Sequence, residues 1–292
     1  MKKNLFALII FSATMLLLTA CTKENDNTDN NGYIEPNING KVFRNENGNL
    51  FRVYAERITE DFEKGEVTNT ISFKKMLLYE FDWDKDTLIG FRLFNENRSY
   101  REFSLSYKEG KIVRLHCVSD GSDTYYIYSN DSLYVTNKAD SSELYLIAIM
   151  KDGHIVKRPH GIYKTVTTNG QDEKIYYADQ FFEYEGNNCV KQIRKYEDGT
   201  QEVITYEYHD ALYPLRVLPV ELGLTSYMMW HNLPRHYTEV ASDGWRAEAE
   251  YIITKENNGK VEGLDISLHE WYEDSDYSSR MASSYIFDYT TR

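Results

Sequence analysis

Several short stretches of this chain combine residue types that can do chemistry. Phe81 to Gly90, FDWDKDTLIG, sets Asp82, Asp84 and Asp86 at alternating positions, so on a strand or loop their carboxylates converge as a calcium site needs. An EF-hand loop also requires Gly at its sixth position and Glu at its twelfth, where this chain has Thr87 and Leu93, so an acidic hairpin turn is the reading and no metal is assigned. His269, Glu270 and Glu273 in HEWYE resemble half of a zinc-protease helix, but the second histidine is missing and the flanks alternate as a strand does. WHNLPRH places Trp230, His231 and His236 around Pro234, in what reads as a turn. Trp230, His231 and Trp271 are the residues an external ligand would meet: rings that stack and an imidazole that hydrogen-bonds. Cys189 and His209 fall within FFEYEGNNCVKQIRKYEDGTQEVITYEYHD, Phe181 to Asp210, with no residue beside them that would activate either.

Familiar catalytic signatures are missing from the sequence. There is no GxSxG, no glycine-rich phosphate loop, and no cysteine in an electropositive setting. With 46 acidic residues some carboxylate pair will fall at glycosidase spacing whatever the function, so their abundance carries no information. The expectation is a protein without catalytic residues, metal or cofactor; a hydrolase with an unrecognised carboxylate pair is an alternative. Asp86-Thr87-Leu88 and Asp131-Ser132-Leu133 also match the Asp-Ser/Thr-aliphatic acceptor of bacterial O-glycosylation.

The first forty residues concern address. MKKNLFALIIFSATMLLLTAC has Lys2 and Lys3, an apolar run from Leu5 to Leu18 and small residues before Cys21, the layout of a secretory signal. The run is shorter than the roughly 20 residues a spanning helix needs. Leu18, Thr19, Ala20 and Cys21 resemble a bacterial lipobox, which makes residues 1–20 a lipoprotein signal peptide and Cys21 the lipid attachment site. Residues 21–40, rich in Asn, Asp and Gly, cannot bury enough apolar surface to order themselves and read as a flexible tether. Lys23, Glu24 and Asp26 look like the sorting signals of Bacteroidota surface lipoproteins. The expected location is the cell envelope, as an outer-membrane lipoprotein exposed at the surface, with the membrane met through the N-terminal lipid.

Charge narrows the partners. The 292 residues include 33 basic and 46 acidic ones, a formal charge of −13; without Lys2 and Lys3 the mature chain has 31 against 46, or −15. A surface this acidic disfavours nucleic acid, whose binding requires basic groups. Cys117 and Cys189 remain after processing, and spacing alone does not say whether they pair.

What must position any site is a set of strands. From residue 41 to 292, Tyr, Phe, Val, Ile and Thr are plentiful, proline is scarce, and short runs alternate apolar with polar. The pattern predicts a single all-β domain. FSLSYKEGKIVRL (Phe103 to Leu115), FEYEGNNCVKQI (Phe182 to Ile193) and YIITKENNGKVEGL (Tyr251 to Leu264) repeat one unit, with weaker copies at ENGNLFRV and MKDGHIVKR. Each has an aromatic strand, a turn ending in Gly or Asn, and a second strand whose apolar residues lie three apart, which a bulge after the turn would turn to one face. The inward sets expected around Phe181 to Asp210 are Phe182 and Tyr184, Val190 and Ile193, then Ile204, Tyr206 and Tyr208. WRAEAEYII, Trp245 to Ile253, reads as strand despite its Ala and Glu. Sequential hairpins make an antiparallel meander, and a sheet this large must curl, giving an all-β, barrel-like body, with an open single-layer sheet or a sandwich as alternatives. A bilayer-spanning barrel is disfavoured, because charged residues occur on nearly every strand.

The hairpin motif is similar to the tyrosine-rich YD repeats of Rhs-type proteins. Tyr206 to Asp210 with Tyr213 and Pro214, His231 to Pro234, and Glu250 and Tyr251 through Gly259 together resemble a group of uncharacterised Bacteroidota surface lipoproteins with a porin-like β fold. The resemblance spans about residues 100 to 292 and implies that fold; it brings no catalytic residue. The functional expectation is a lipid-anchored, non-enzymatic binding protein for an external ligand such as glycan, since 25 tyrosines leave many rings at the surface. Cross-strand ring pairing that stabilises the sheet is the preferred account of those tyrosines. A structural or assembly subunit of an outer-membrane complex, meeting an envelope protein partner, is the alternative.

Overall fold

The protein is described by a computed structural model covering residues 49–95, 98–139, 143–168, 172–219, 222 and 230–289. Cys21, the signal peptide and the tether lie outside the described residues. Along the chain come β1 Leu50–Glu63, β2 Glu66–Asp84, β3 Thr87–Phe94, β4 Tyr100–Lys108, β5 Lys111–Cys117, β6 Ser122–Ser129, β7 Ser132–Thr136 and β8 Tyr145–Lys151. The second half is β9 His154–Thr168, β10 Asp172–Glu185, β11 Asn188–Tyr196, β12 Gln201–Leu212, β13 Asn232–Ala241, β14 Trp245–Asn257, β15 Lys260–Tyr272 and β16 Tyr277–Tyr289. Each strand pairs antiparallel with the next, and β1 pairs with β16 from Leu50↔Tyr289 to Glu63↔Tyr277, closing a sixteen-strand barrel. The expected meander and barrel-like body are therefore observed, and the open sheet and sandwich are not. WRAEAEYII lies in β14, as its leading role into the Asn257–Gly259 turn requires.

Turn chemistry explains the local folding. At Glu109–Gly110 and Asn258–Gly259 both central residues have positive φ, 52° and 77°, then 51° and 74°. That twist matches the strands it joins, and Gly supplies the second position without a Cβ penalty. A bulge follows each turn. Tyr107 pairs with Ile112 and Ser106 with Arg114, so Val113 is the extra residue, and Ile112 and Leu115 both pack on the core. Val261 and Leu264 do the same in β15.

In β10–β11 the bulge lies one residue earlier than the sequence suggests. Tyr184 pairs with Cys189 and Glu183 with Lys191, which turns Cys189 and Gln192 inward and leaves Val190 and Ile193 half-buried. The expected inward pair was wrong because the turn ends at Asn187, so the inward count starts at Cys189. Phe182, Tyr184, Ile204, Tyr206 and Tyr208 hold their expected side, all packing on the core.

A sixteen-strand barrel ordinarily encloses a water channel. This one is filled. A single cluster of buried residues takes side chains from every strand, among them Phe81, Phe91, Tyr107, Leu133, Ile155, Ile204 and Phe287. The wall coils tightly enough for β12 to come back against β15 across two intervening strands. The β12–β13 connection closes the end at which β1 begins: a 3-10 turn, Pro214–Val217, is followed by Leu218 and, further on, Leu222, and the apolar residues described there are buried with Tyr213 and Trp230. The other end is uneven. β3 to β8 are short, whereas β1–β2 and β9–β10 are long hairpins; Glu66–Leu78 of β2 pairs only with β1. Outward positions are polar over most of the barrel: Glu248 and Glu250 on β14 alternate with buried Ala247, Ala249 and Tyr251.

Candidate functional site

The pleat and the register place a polar belt inside the barrel. Residues directly opposite on neighbouring strands share a face. One such row runs Gln192 (β11), Ile204 (β12), Glu239 (β13), Ala247 (β14), Glu270 (β15), Ser279 (β16) and Asp61 (β1). The adjacent row, one pleat further from the plugged end, carries Arg194 opposite Glu202. Small residues, Ala247 and Ser279, separate the three carboxylates, so neighbouring acids stand two strand spacings, about 10 Å, apart at the backbone.

The centre of the belt is ion-paired. Arg194 Nη1 donates to Glu239 Oε1 at 2.6 Å and to Glu202 Oε2 at 2.9 Å. Tyr196 donates to Glu202 at 3.0 Å, and the Tyr237 hydroxyl donates to Glu239. Glu239 is only 2% exposed, and burial outweighs its share of one guanidinium, so its carboxyl is held well above the usual range. Burial alone would lower the Arg194 guanidinium, but the two carboxylates hold it above its ordinary value and it stays charged. Glu270 has no cation in this row; burial, with the Asp61 charge beside it, lifts its carboxyl to about 7. These residues bring two carboxylates together, as the hydrolase alternative requires. Both are occupied by Arg194 and tyrosine hydroxyls and face the packed interior, so the pair has no open position for a substrate or an attacking water. Its evident work is to fix the register of β11, β12 and β13, since a buried ion pair tolerates no slip.

The residues singled out from sequence are dispersed. Trp230 is 2% exposed, its ring edge-on to Tyr206, Tyr213 and Tyr251 at centroid distances of 5.2, 5.4 and 6.0 Å. It belongs to the plug, and the ring face that a ligand would need is taken by those tyrosines. His231 donates its backbone N–H to Asn188 Oδ1 at 3.1 Å; burial and nearby Arg216 lower its pKa. His236 sits within β13 opposite Glu250. Asp82 approaches Arg92 at 3.5 Å, and Asp84 ends β2 at a hairpin turn. Among the described residues no group of His, Cys, Asp and Glu is arranged to hold a metal ion. His269 and Glu270 fall on opposite faces of β15, and Glu273 pairs with Arg246 at 2.6 Å. Cys117 and Cys189 are both buried and unpaired with each other; burial pushes the Cys189 thiol up to about 12. His209 Nε2 lies 2.9 Å from the Tyr251 carbonyl, a scaffold contact.

Trp271 is the exception. It is half-buried on the outer face, with the His269 ring stacked on it at 4.7 Å and an interplanar angle of 26°. Across the strands its row runs Arg246, Trp271, Ser278 and Phe62, and Arg280 lies over the Phe62 ring at 5.2 Å. Two rings thus flank a serine gap about 10 Å wide, two strand spacings, with Glu248 and Arg280 in the next row. Such a strip can stack apolar ring faces and hydrogen-bond at its edges. Phe62 and Arg280 were not legible in the sequence, because more than 200 residues separate them and only barrel closure brings them together.

No protein-family model matches the chain, and no curated protein matches it. Solved structures that are similar to it include two, each 8% identical: a porin-like protein from Bacteroides uniformis, with 82% of this chain and 98% of that one covered at a TM-score of 0.33, and a protein of unknown function of the DUF3598 family from Nostoc punctiforme, with 82% and 96% covered at 0.16. The porin-like β fold implied by the sequence resemblance agrees with the closed barrel itself.

Proposed function

We propose that this chain is a lipid-anchored envelope protein whose barrel stands in water and binds an external ligand, glycan foremost, without chemistry of its own. The outward strip of Trp271, His269, Phe62 and Arg280 carries this reading: half-buried aromatic rings lie there on the outer face beside hydrogen-bonding groups. The direction of the pleat supports the barrel's place in water. A bilayer-spanning barrel shows an apolar band outward and polar groups inward; here Ala247, Ala249 and Tyr251 point in, and Glu248 and Glu250 point out. Anchoring rests on Cys21 alone, by way of the lipobox.

Two measurements test the reading. C21S should release the protein from the membrane fraction and abolish incorporation of labelled palmitate; retention of both would remove the lipid anchor. Polysaccharides screened by intrinsic tryptophan fluorescence should include one that shifts the emission of the native protein and not of W271A. A screen in which no polysaccharide moves the native signal counts against glycan as the ligand. An assembly role in an outer-membrane complex is the second reading, favoured by the exposed apolar side chains at the uneven end, among them Tyr100, Leu144, Tyr145 and Tyr177.

A further inference from the structure

The outward row that holds Trp271 continues across the sheet. Trp271 on β15 lies opposite Arg246 on β14, Arg246 opposite Val240 on β13, and Val240 opposite Val203 on β12. Beside the hairpin turn between β13 and β14 this row lines an open cleft of about 250 Å³. Val203 and Val240 supply its apolar lining, and Gln201, Ser242, Arg246 and Glu273 its polar lining. Val240 is 45% exposed, so its methyl groups are available to a ligand. Pockets for drug-sized molecules begin at roughly 300 Å³, and this smaller cleft is on the scale of one sugar ring. Trp271 stands two strand spacings from Val240, about 10 Å, farther than a single sugar can bridge.

The polar lining suits hydroxyl groups. Arg246 Nη1 donates to the Ala241 and Trp245 carbonyls at 2.8 and 2.9 Å, and Nη2 meets Glu273 Oε1 at 2.6 Å. These contacts fix the guanidinium and leave its Nε–H and one Nη2 hydrogen to donate. Glu273 Oε2 can accept, and the exposed Gln201 amide can do both. Ser242 Oγ accepts the Gln201 backbone N–H at 3.0 Å and keeps its own hydrogen to give. Charge narrows the ligand further. Arg246 and Glu273 cancel within the cleft, and at its margin Lys195, opposite Gln201, is offset by Asp243. An anionic sugar would have to displace Glu273 from Arg246, and a cationic one would meet the guanidinium; a neutral ring does neither.

We propose that this cleft is a second subsite, and that the ligand is a neutral, extended oligosaccharide with one ring on Trp271, the next over Arg246 and a third in the cleft. The span of about 10 Å sets that minimum of roughly three units. This rests on the glycan reading of Trp271 and adds to it a length and a charge.

The test titrates the full-length protein calorimetrically with β-1,4-linked oligomers of glucose, mannose and xylose, from monomer to pentamer, and with glucuronate and mannuronate oligomers of matched length. At least one neutral series should bind, with affinity rising to the trimer and then levelling, and the uronates should bind more weakly. V240E sets a carboxylate in the apolar lining at an outward position; it should weaken the trimer about tenfold and erase the gain from dimer to trimer. E273Q keeps the shape of the lining but removes the counter-charge of Arg246, so the uronate oligomers should gain about tenfold. Both variants should keep the native circular dichroism spectrum, and E273Q decides the matter if V240E does not fold. Affinity indifferent to length, a native preference for uronates, or uronate binding unchanged in E273Q would overturn the subsite. If polysaccharides then still shift the emission of the native protein and not of W271A, the glycan reading stands without it. No binding by any oligomer would overturn the subsite, and a blank polysaccharide screen beside it would remove the glycan reading too.

Discussion

Replacing Glu270 by Gln should stabilise the protein at neutral pH and leave it unchanged in acid. Glu270 points inward from β15 between Ala247 and Ser279, with Asp61 beyond Ser279, and its carboxyl is lifted from 4.5 to about 7 by burial and by that neighbouring charge. Between these values the folded protein retains a proton that the unfolded chain has released, so stability falls as pH rises from about 4.5 through about 7. A displacement of about 2.5 pH units at 1.36 kcal/mol each comes to about 3 kcal/mol lost from native stability above pH 7. Glutamine has the shape of the protonated acid and cannot ionise. E270Q should therefore match the native protein near pH 4 and exceed it by about 3 kcal/mol near pH 8. Urea unfolding followed by tryptophan emission at several pH values measures both. The depressed carboxylates of Glu80, Asp123 and Asp179, each beside a cation, impose the opposite slope, stability gained as pH rises, but they are common to both proteins and cancel in the difference. A difference that does not change with pH, or an E270Q protein less stable than native at pH 8, would refute the reasoning.

R194M should cost about 3 to 5 kcal/mol in the same assay, because it leaves Glu202 and Glu239 together inside the barrel without their cation. Its deficit should shrink in acid, where the raised carboxyl of Glu239 is neutral; a deficit unaffected by pH would show that packing, not charge, dominates. W230A should cost about 3 to 5 kcal/mol by opening a cavity under the plug between Tyr206, Tyr213 and Tyr251. Near-native stability of W230A would mean that the plug does not seal the core. Neither Cys117 nor Cys189 should react with a thiol reagent in the native protein, and both should react once it is unfolded. Rapid native labelling of Cys189 would contradict its burial.

Much of the fold was legible in the sequence because the information is local. Positive-φ turns at Glu109–Gly110 and Asn258–Gly259 depend on the two residues that make them, and the period-two alternation of β14 can be read along WRAEAEYII. The bulge after each turn was also legible, through apolar residues three apart. It failed at β11, where the inward residues are Cys189 and Gln192, because a buried glutamine gives no apolar signal.

The candidate sites depended on register and closure, which no local pattern encodes. Trp230 and Trp271 are both tryptophans beside histidines, yet the first is edge-on to three tyrosines in the plug and the second stacks with His269 on the outer face. Gln192, Glu239, Glu270 and Asp61 become one row only when five further strands are in register and β1 meets β16. The sequence by itself determined strands, turns, a meander and a predicted lipid-bearing cysteine, since each follows from a few adjacent residues. The tertiary structure decided which acids are buried together and which rings lie on the outer face, since those depend on the long-range pairing of strands that are remote in the chain.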